Sequence, residues 1–246
     1  MNAPARQGRL FGIGVGPGDP ELMTLKAVRL LGEARLIVSF SKKGAAGHAR
    51  TIAAPHIPAG TQELSLTYPV TVERAFDSPE YTAALAAFYA DAADALAGHL
   101  AQGRDVALIC EGDPLFYGSF MHLHARLRGR FETEICAGVT GMSGCWAAAG
   151  EAMTWGDDVL SVLPGTLPEA ELTRRLRDAD AAVIMKLGTI FPKARRAVAA
   201  AGMTERAVYV ERGTMQGERV APLREITEER APYFALILVP GRGRRP

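Results

Sequence analysis

The stretch FGIGVGPGDPELMTLKAVRLLG, Phe11–Gly32, passes from an apolar run through alternating glycines into a helical pattern. Strand, glycine turn and helix in that order read as the opening unit of an α/β fold. The glycines stand at Gly12, Gly14, Gly16 and Gly18. A dinucleotide turn needs G-x-G-x-x-G, and counting from Gly12 or Gly14 puts Pro17 or Asp19 where the third glycine belongs. Proline fixes φ and removes an amide donor, whereas a phosphate cradle wants many free amide hydrogens. The turn therefore suits a ligand other than pyrophosphate, neutral or cationic, held by shape.

Gly18-Asp19-Pro20 is echoed by Gly112-Asp113-Pro114 after the apolar run VALIC, Val106–Cys110. Each follows an expected strand at its carboxyl end, where open α/β sheets bind ligands. Aspartate and proline also favour the cap and first position of a helix, so both turns read as ordinary helix starts as well.

Outward from these turns, apolar runs alternate with helical patterns along nearly the whole chain. RLFGIGV and ARLIVSF flank a helix expected over Pro20–Leu31, capped by Asp19 and stopped by Gly32. Residues 41–79, rich in Gly, Pro, Ser and Thr, read as an irregular functional insertion. An alanine-rich helix closed by Gly103 follows, then the strand VALIC, the turn EGDPLFYGSF, a helix and the strand FETEICA. A second series runs from VTGMSGCWAAAG to the closing strand YFALILVPG. The expectation is two α/β domains with mostly parallel sheets, residues 1–138 and 139–246, and a cofactor cleft between them.

Composition narrows the function classes. A net charge of +1 over 246 residues supplies no general field for nucleic acid or an anionic membrane, and no apolar run is long enough to span a bilayer. The N-terminal residues carry no secretory pattern. Three cysteines, Cys110, Cys136 and Cys145, lack metal or disulfide spacing and fit a reducing cytoplasm. His122 and His124, two apart, would point to different helix faces, so no metal site is expected.

GVGPGDPELMTLKA, EGDPLFYGS and CAGVTGMSG together resemble the tetrapyrrole methylase family, the S-adenosylmethionine-dependent enzymes of sirohaem and cobalamin synthesis. The resemblance covers about residues 8–240. The insertion and the EGDPLFYGSFMHLHARL stretch are similar to the branch that methylates precorrin-2 at C-20. Relatives that methylate uroporphyrinogen III more often read G-G-D-P where this chain has Glu111-Gly112-Asp113-Pro114. Two departures stand out: Ala137 where many relatives have proline, and Leu187 before Gly188 where many have methionine.

Residue by residue, the resemblance implies S-adenosylmethionine bordered by Pro17 and contacted by Gly112, Asp113 and Phe116. Ser119, Thr140 and Gly141 would hold its amino-acid end, with Leu187, Tyr209 and Arg212 over the adenine. Asp113 would favour the sulfonium or cap a helix. Glu111, then Tyr117, are candidates for a helping base, and Glu111 reads equally as a carboxylate capping Pro114–Arg126. The macrocycle carries many carboxylates, so Lys42, Lys43, His48, Arg50 and Lys186 are candidate substrate contacts; the first four also read as a solvated loop. Trp146 and Trp155 read as core residues, and Arg174, Arg175, Arg177, Arg195 and Arg196 as helix surface. The implied activity is C-20 methylation of precorrin-2 by a homodimer. Alternatives are the cobalt-loaded substrate, uroporphyrinogen III, a nicotinamide-dependent oxidoreductase and a non-enzymatic binding module. Broken glycine spacing and the lack of a ribose-binding acid after LIVSF argue against the oxidoreductase.

Overall fold

β1, Leu10–Gly14, is buried along its whole length, which an edge strand would not be. The computed structural model describes residues 6–69 and 78–243; part of the expected insertion, 70–77, and the end of the basic tail lie outside the described residues. The chain forms two compact units, Met1–Thr140 and Gly141–Pro246; the sequence reading put the division after residue 138.

In the first unit β1 is joined by β2 (Leu36–Ser41), β3 (Gln62–Thr67), β4 (Val106–Cys110) and β5 (Thr133–Cys136) in the order β3-β2-β4-β1-β5. All four pairings are parallel. The helices are α1 (Leu25–Glu33), α2 (His48–Ala53), α3 (Pro79–Ala101) and α4 (Phe120–Leu127). Leu96 and Leu100 of α3 and Phe120, Leu123 and Leu127 of α4 bury one sheet face against Leu10, Leu36, Val38, Val106 and Leu108.

Two expectations change here. The helix expected over Pro20–Leu31 is a 3-10 turn at Pro20–Leu22 followed by α1. Asp19 caps the first piece through the Glu21 amide at 2.9 Å. Thr24 caps the second through the Ala27 amide at 3.1 Å. The extended Met23 and Thr24 separate the two, and α1 runs through Gly32 to Glu33. The insertion is not irregular either: it holds α2 and the edge strand β3. β3 is mostly exposed, so its sequence lacks a buried strand's apolar signature.

The second unit contains α5 (Gly141–Ala149), β6 (Leu160–Pro164), α6 (Glu169–Arg177), β7 (Ala181–Met185), α7 (Phe191–Ala200), β8 (Val208–Glu211), β9 (Arg219–Pro222) and β10 (Ala235–Val239). Its sheet order is β6-β7-β10-β8-β9. Only β6 and β7 pair in parallel; β7–β10, β10–β8 and β8–β9 are antiparallel. The expected mostly parallel sheet is therefore found in the first unit alone. Parallel neighbours need a crossover, commonly a helix, and no α-helix follows α7 among the described residues. α6 and α7 cover one sheet face through Leu172, Leu176, Phe191 and Val198, while Cys145 of α5 packs with Val183, Val210 and Leu236 in a separate cluster.

The glycines of the opening motif are explained by packing. A Cβ on Gly12 would lie 2.3 Å from the Phe120 ring, so Gly12 lets α4 sit down on β1. A Cβ on Gly14 would lie 2.5 Å from the Gly112 carbonyl oxygen, and one on Gly138 only 2.1 Å from the same atom. Gly16 has φ +81 and forms an isolated bridge with Gly112. Replacing Gly138 with alanine is expected to cost about 3 kcal/mol of unfolding free energy, at the upper end for an overpacked site. Gly98→Ala, in α3 with nothing within 4 Å of the added carbon, should instead gain roughly 0.5–1 kcal/mol. Urea denaturation of the two variants checks both signs.

Candidate functional site

Three turns meet where β4, β1 and β5 end. The Val15 amide donates to the Cys110 carbonyl at 2.9 Å, and the Gly112 amide to the Gly16 carbonyl at 2.8 Å. Asp113 adds the third: Oδ1 accepts from the Leu115 amide of its own turn at 2.9 Å and Oδ2 from the Gly138 amide of the β5 turn at 3.1 Å. Pro17 and Gly112 are buried, and Asp113 is half-buried. The structure thus brings Gly112 and Asp113 together with the first glycine turn. The carboxylate's primary task is to join the β4 and β5 turns.

The turn after β4 exposes apolar surface. Leu115 is 48% and Tyr117 46% exposed, and the Phe116 and Tyr117 rings meet edge to face at 4.8 Å. Ser119 is bound by two tyrosines remote in sequence: Tyr89 donates its hydroxyl to Oγ at 3.0 Å, and the Tyr68 hydroxyl lies within hydrogen-bond distance of the same atom. No sequence pattern pointed to Tyr68 or Tyr89, because β3 and α3 bring them to Ser119 only in the folded sheet. Thr140 closes the first unit, half-buried.

Glu111 is exposed, and its Oε1 accepts from the Ala49 amide of α2 at 3.1 Å. It does not cap a helix over Pro114–Arg126; the helix there begins only at Phe120. Lys42, Lys43 and His48 are exposed before and at the start of α2. Arg50 is held by Glu63 of β3, with Nη2 3.0 Å from Oε1. Its charge is therefore already matched, and it anchors α2.

In the second unit Gly141 begins α5, with nothing within 4 Å of where a Cβ would stand. Lys186 directly follows β7 and Arg212 directly follows β8; with Tyr117 and Thr214 they have φ between +51 and +66. Positive φ costs a side-chain-bearing residue about 1–2 kcal/mol, and such residues concentrate at functional positions. Three of the four had been selected from sequence. Leu187 and Tyr209 are 1% and 2% exposed. The Tyr209 hydroxyl donates to Glu211 at 3.1 Å, and burial followed by the Glu211 charge pushes its pKa well above the usual tyrosine range. Their side chains are closed off by the core, so each leaves mainly its backbone for a ligand.

Other groups fall outside the site. Burial raises the Cys110 thiol far above its usual range, with Glu111 adding to the effect, and pushes Cys145 up to about 11. Neither is a thiolate nucleophile. Trp146 packs against the second unit's core as expected, whereas Trp155 is 46% exposed and is not core. Arg174 and Arg175 pair with Glu171, and Arg196 with Glu169, on helix surfaces. A cavity of about 440 Å³ beside Pro192, Arg195 and Arg224 includes none of the candidates.

His122 stacks on Tyr89 at 4.3 Å and His124 on Phe120 at 5.4 Å. Burial, then Arg126 and Arg128 respectively, hold both imidazoles below the usual histidine range. A depressed folded pKa means that the unfolded chain binds more protons, so stability is full above the unfolded value and falls as pH drops through the window below it. Urea midpoints measured from about pH 7.5 to about pH 5.5 should decline, and the decline should flatten in His122→Gln/His124→Gln. Independently, Lys186→Gly should be about 1 kcal/mol more stable than Lys186→Ala, since only glycine relieves the positive φ; thermal unfolding compares the pair.

Three similarities to known proteins bear on this arrangement. A precorrin-2 C(20)-methyltransferase from Sinorhizobium sp is 54% identical over 239 residues, 97% of this chain and 98% of that protein. A cobalt-precorrin-2 C(20)-methyltransferase from Salmonella typhimurium is 28% identical over 94% of this chain and 96% of that one. The crystal structure of a uroporphyrin-III C-methyl transferase from Thermus thermophilus complexed with S-adenyl homocysteine shares the fold, with a TM-score of 0.65 at 23% identity over 95% of this chain and 92% of that one. The family model for tetrapyrrole (corrin/porphyrin) methylases matches residues 9–227, and with the glycine turns and the 54% identical relative this establishes that the chain belongs to that family.

Proposed function

We propose that the chain transfers a methyl group from S-adenosylmethionine to C-20 of precorrin-2, a step of cobalamin biosynthesis. The observation that carries the reading is the 54% identity, over nearly the full length of both chains, to a protein of that activity. The lower identity, 28%, to a cobalt-precorrin-2 enzyme favours the metal-free macrocycle over the cobalt-loaded one.

The turn chemistry fits the donor. The amides of Val15, Gly112, Leu115 and Gly138 are all spent on protein acceptors, and positions 17, 20 and 114 are prolines without an amide hydrogen. Such turns cannot cradle a pyrophosphate, which also disfavours the nicotinamide-dependent alternative. They suit a ligand that has no phosphate and carries a sulfonium. Pro17, Gly112, Asp113 and Phe116 would meet it in the first unit, with Ser119 and Thr140 on the amino-acid end. Gly141 and the backbone at Leu187, Tyr209 and Arg212 are the second unit's contributions.

When bound, the donor supplies an electrophilic methyl carbon. The S–CH3 bond breaks as the C–CH3 bond forms at the meso carbon, whose hydrogen then leaves as a proton. What the chain contributes is orientation and exclusion of water. Lys42, Lys43, His48 and Lys186 would hold the substrate's carboxylates by charge-assisted hydrogen bonds. Tyr117, exposed at the β4 turn, is a candidate for the base that takes this proton. We also propose a homodimer working in the cytoplasm. Buried thiols without disulfides among the described residues fit a reducing compartment; light scattering tests the oligomeric state.

At about one hundred times its dissociation constant, S-adenosylhomocysteine should stabilise the chain by about 2.7 kcal/mol and NAD not at all. Incubated with labelled donor, precorrin-2 should gain one labelled methyl at C-20 faster than cobalt-precorrin-2 or uroporphyrinogen III. Stabilisation by NAD alone, or label at another carbon, would overturn the assignment.

A further inference from the structure

α2 lacks the usual means of capping its own start. Its N-cap residue is Gly47, which makes no side-chain cap bond. A Cβ there would lie 1.9 Å from the Phe40 carbonyl oxygen, so serine, threonine or aspartate cannot replace it. The helix is pressed against β2 too closely for a local cap. Yet the Ala49 residue is 2% exposed, and a buried amide without an acceptor is strongly disfavoured. The acceptor comes from the neighbouring strand's turn: Glu111, directly after β4, reaches across 62 positions of sequence to bond the Ala49 amide at 3.1 Å. Glu111 is also the residue immediately before Gly112 and Asp113, the centre of the β4 turn.

We propose that Glu111 is a positioning residue, not the base: it fixes α2, and with it the basic side chains at Lys42, Lys43 and His48, relative to the turn that meets the methyl donor. The inference rests on the functional reading above for the identity of the substrate. Three contacts make α2 a rigid platform: Gly47 against β2, Arg50 on Glu63 of β3, and Ala49 on Glu111 of β4. Only the third links it to the donor turn. A carboxylate suits the task because it also faces the positive end of the helix. It thereby aligns the holder of the substrate's carboxylates with the turn beside the donor.

The test compares Glu111→Ala and Glu111→Gln in the full chain. Glutamine keeps an oxygen that can accept from the Ala49 amide but cannot take up a proton as a carboxylate does. Glu111→Ala should raise KM for precorrin-2 roughly five- to tenfold, the size of one lost cap, with kcat changed by less than about twofold. Glu111→Gln should recover most of that KM. Hydrogen exchange at the Ala49 amide gives a readout that needs no substrate: faster in Glu111→Ala, near the parent rate in Glu111→Gln. An equal collapse of kcat in both variants would make Glu111 the base and overturn the proposal, as would unchanged exchange at Ala49 in Glu111→Ala. If the parent chain methylates no precorrin-2, the functional reading fails, and exchange alone decides whether Glu111 holds α2.

Discussion

The constraint on which the three turns of the first unit depend is backbone against backbone. Gly14 ends β1, Gly112 and Gly138 follow the ends of its neighbours β4 and β5, and the carbonyl of Gly112 occupies the space that a Cβ on either of the others would need. This contact sets how near the three turns come to one another, so it sets the shape of the surface that they present. Asp113 can join the β4 and β5 turns only because they are already that close. A side chain at Gly14 or Gly138 would push the turns apart and leave the aspartate without its second donor. The glycine pattern that first resembles a nucleotide fingerprint is thus a packing requirement of a different junction.

That junction was largely legible in the sequence, because glycine next to proline and aspartate constrains a few adjacent residues and needs no distant partner. The strands β1, β2 and β4 were legible for the same reason: burial on both faces writes a continuous apolar run. What stayed hidden depended on long-range contacts or on exposure. β3 and β9 are edge strands with solvated residues and look like loops when read alone. α2 has a glycine cap and takes its acceptor from Glu111, so its own sequence carries no start signal. The resemblance implies Tyr209 as a ligand contact, and only the folded sheet shows its ring turned inward against Phe191 at 5.3 Å. Arg50 looked like a free cation until β3 brought Glu63 beside it.

Backbone strain separates the candidates differently from burial. Tyr117, Lys186 and Arg212 all adopt left-handed conformations in turns that follow strands. Glycine would satisfy each backbone at lower cost, yet each position carries a long or aromatic side chain. Strain retained where glycine would do is consistent with a side chain that is needed in that place. Leu187 and Tyr209, by contrast, have side chains that serve the core and offer a ligand at most their backbone.

These features bear on how methyl transfer to carbon is accelerated. The donor arrives already activated, and the meso carbon of a reduced macrocycle is already electron-rich, so the largest remaining cost is bringing the two into line. Proximity and orientation supply several kcal/mol when the reacting partners are rigidly held. The first unit's architecture answers that need on two levels. Near the donor turn, glycines packed on glycines and an aspartate bonded to two turns leave the backbone little freedom. Nearer the basic residues, α2 is held from three strands at once, and Lys42 and Lys43 stand on the exposed turn that leads into it. A rigid frame with basic residues at its margin fits a large polyanion without asking any one residue for strong acid–base power.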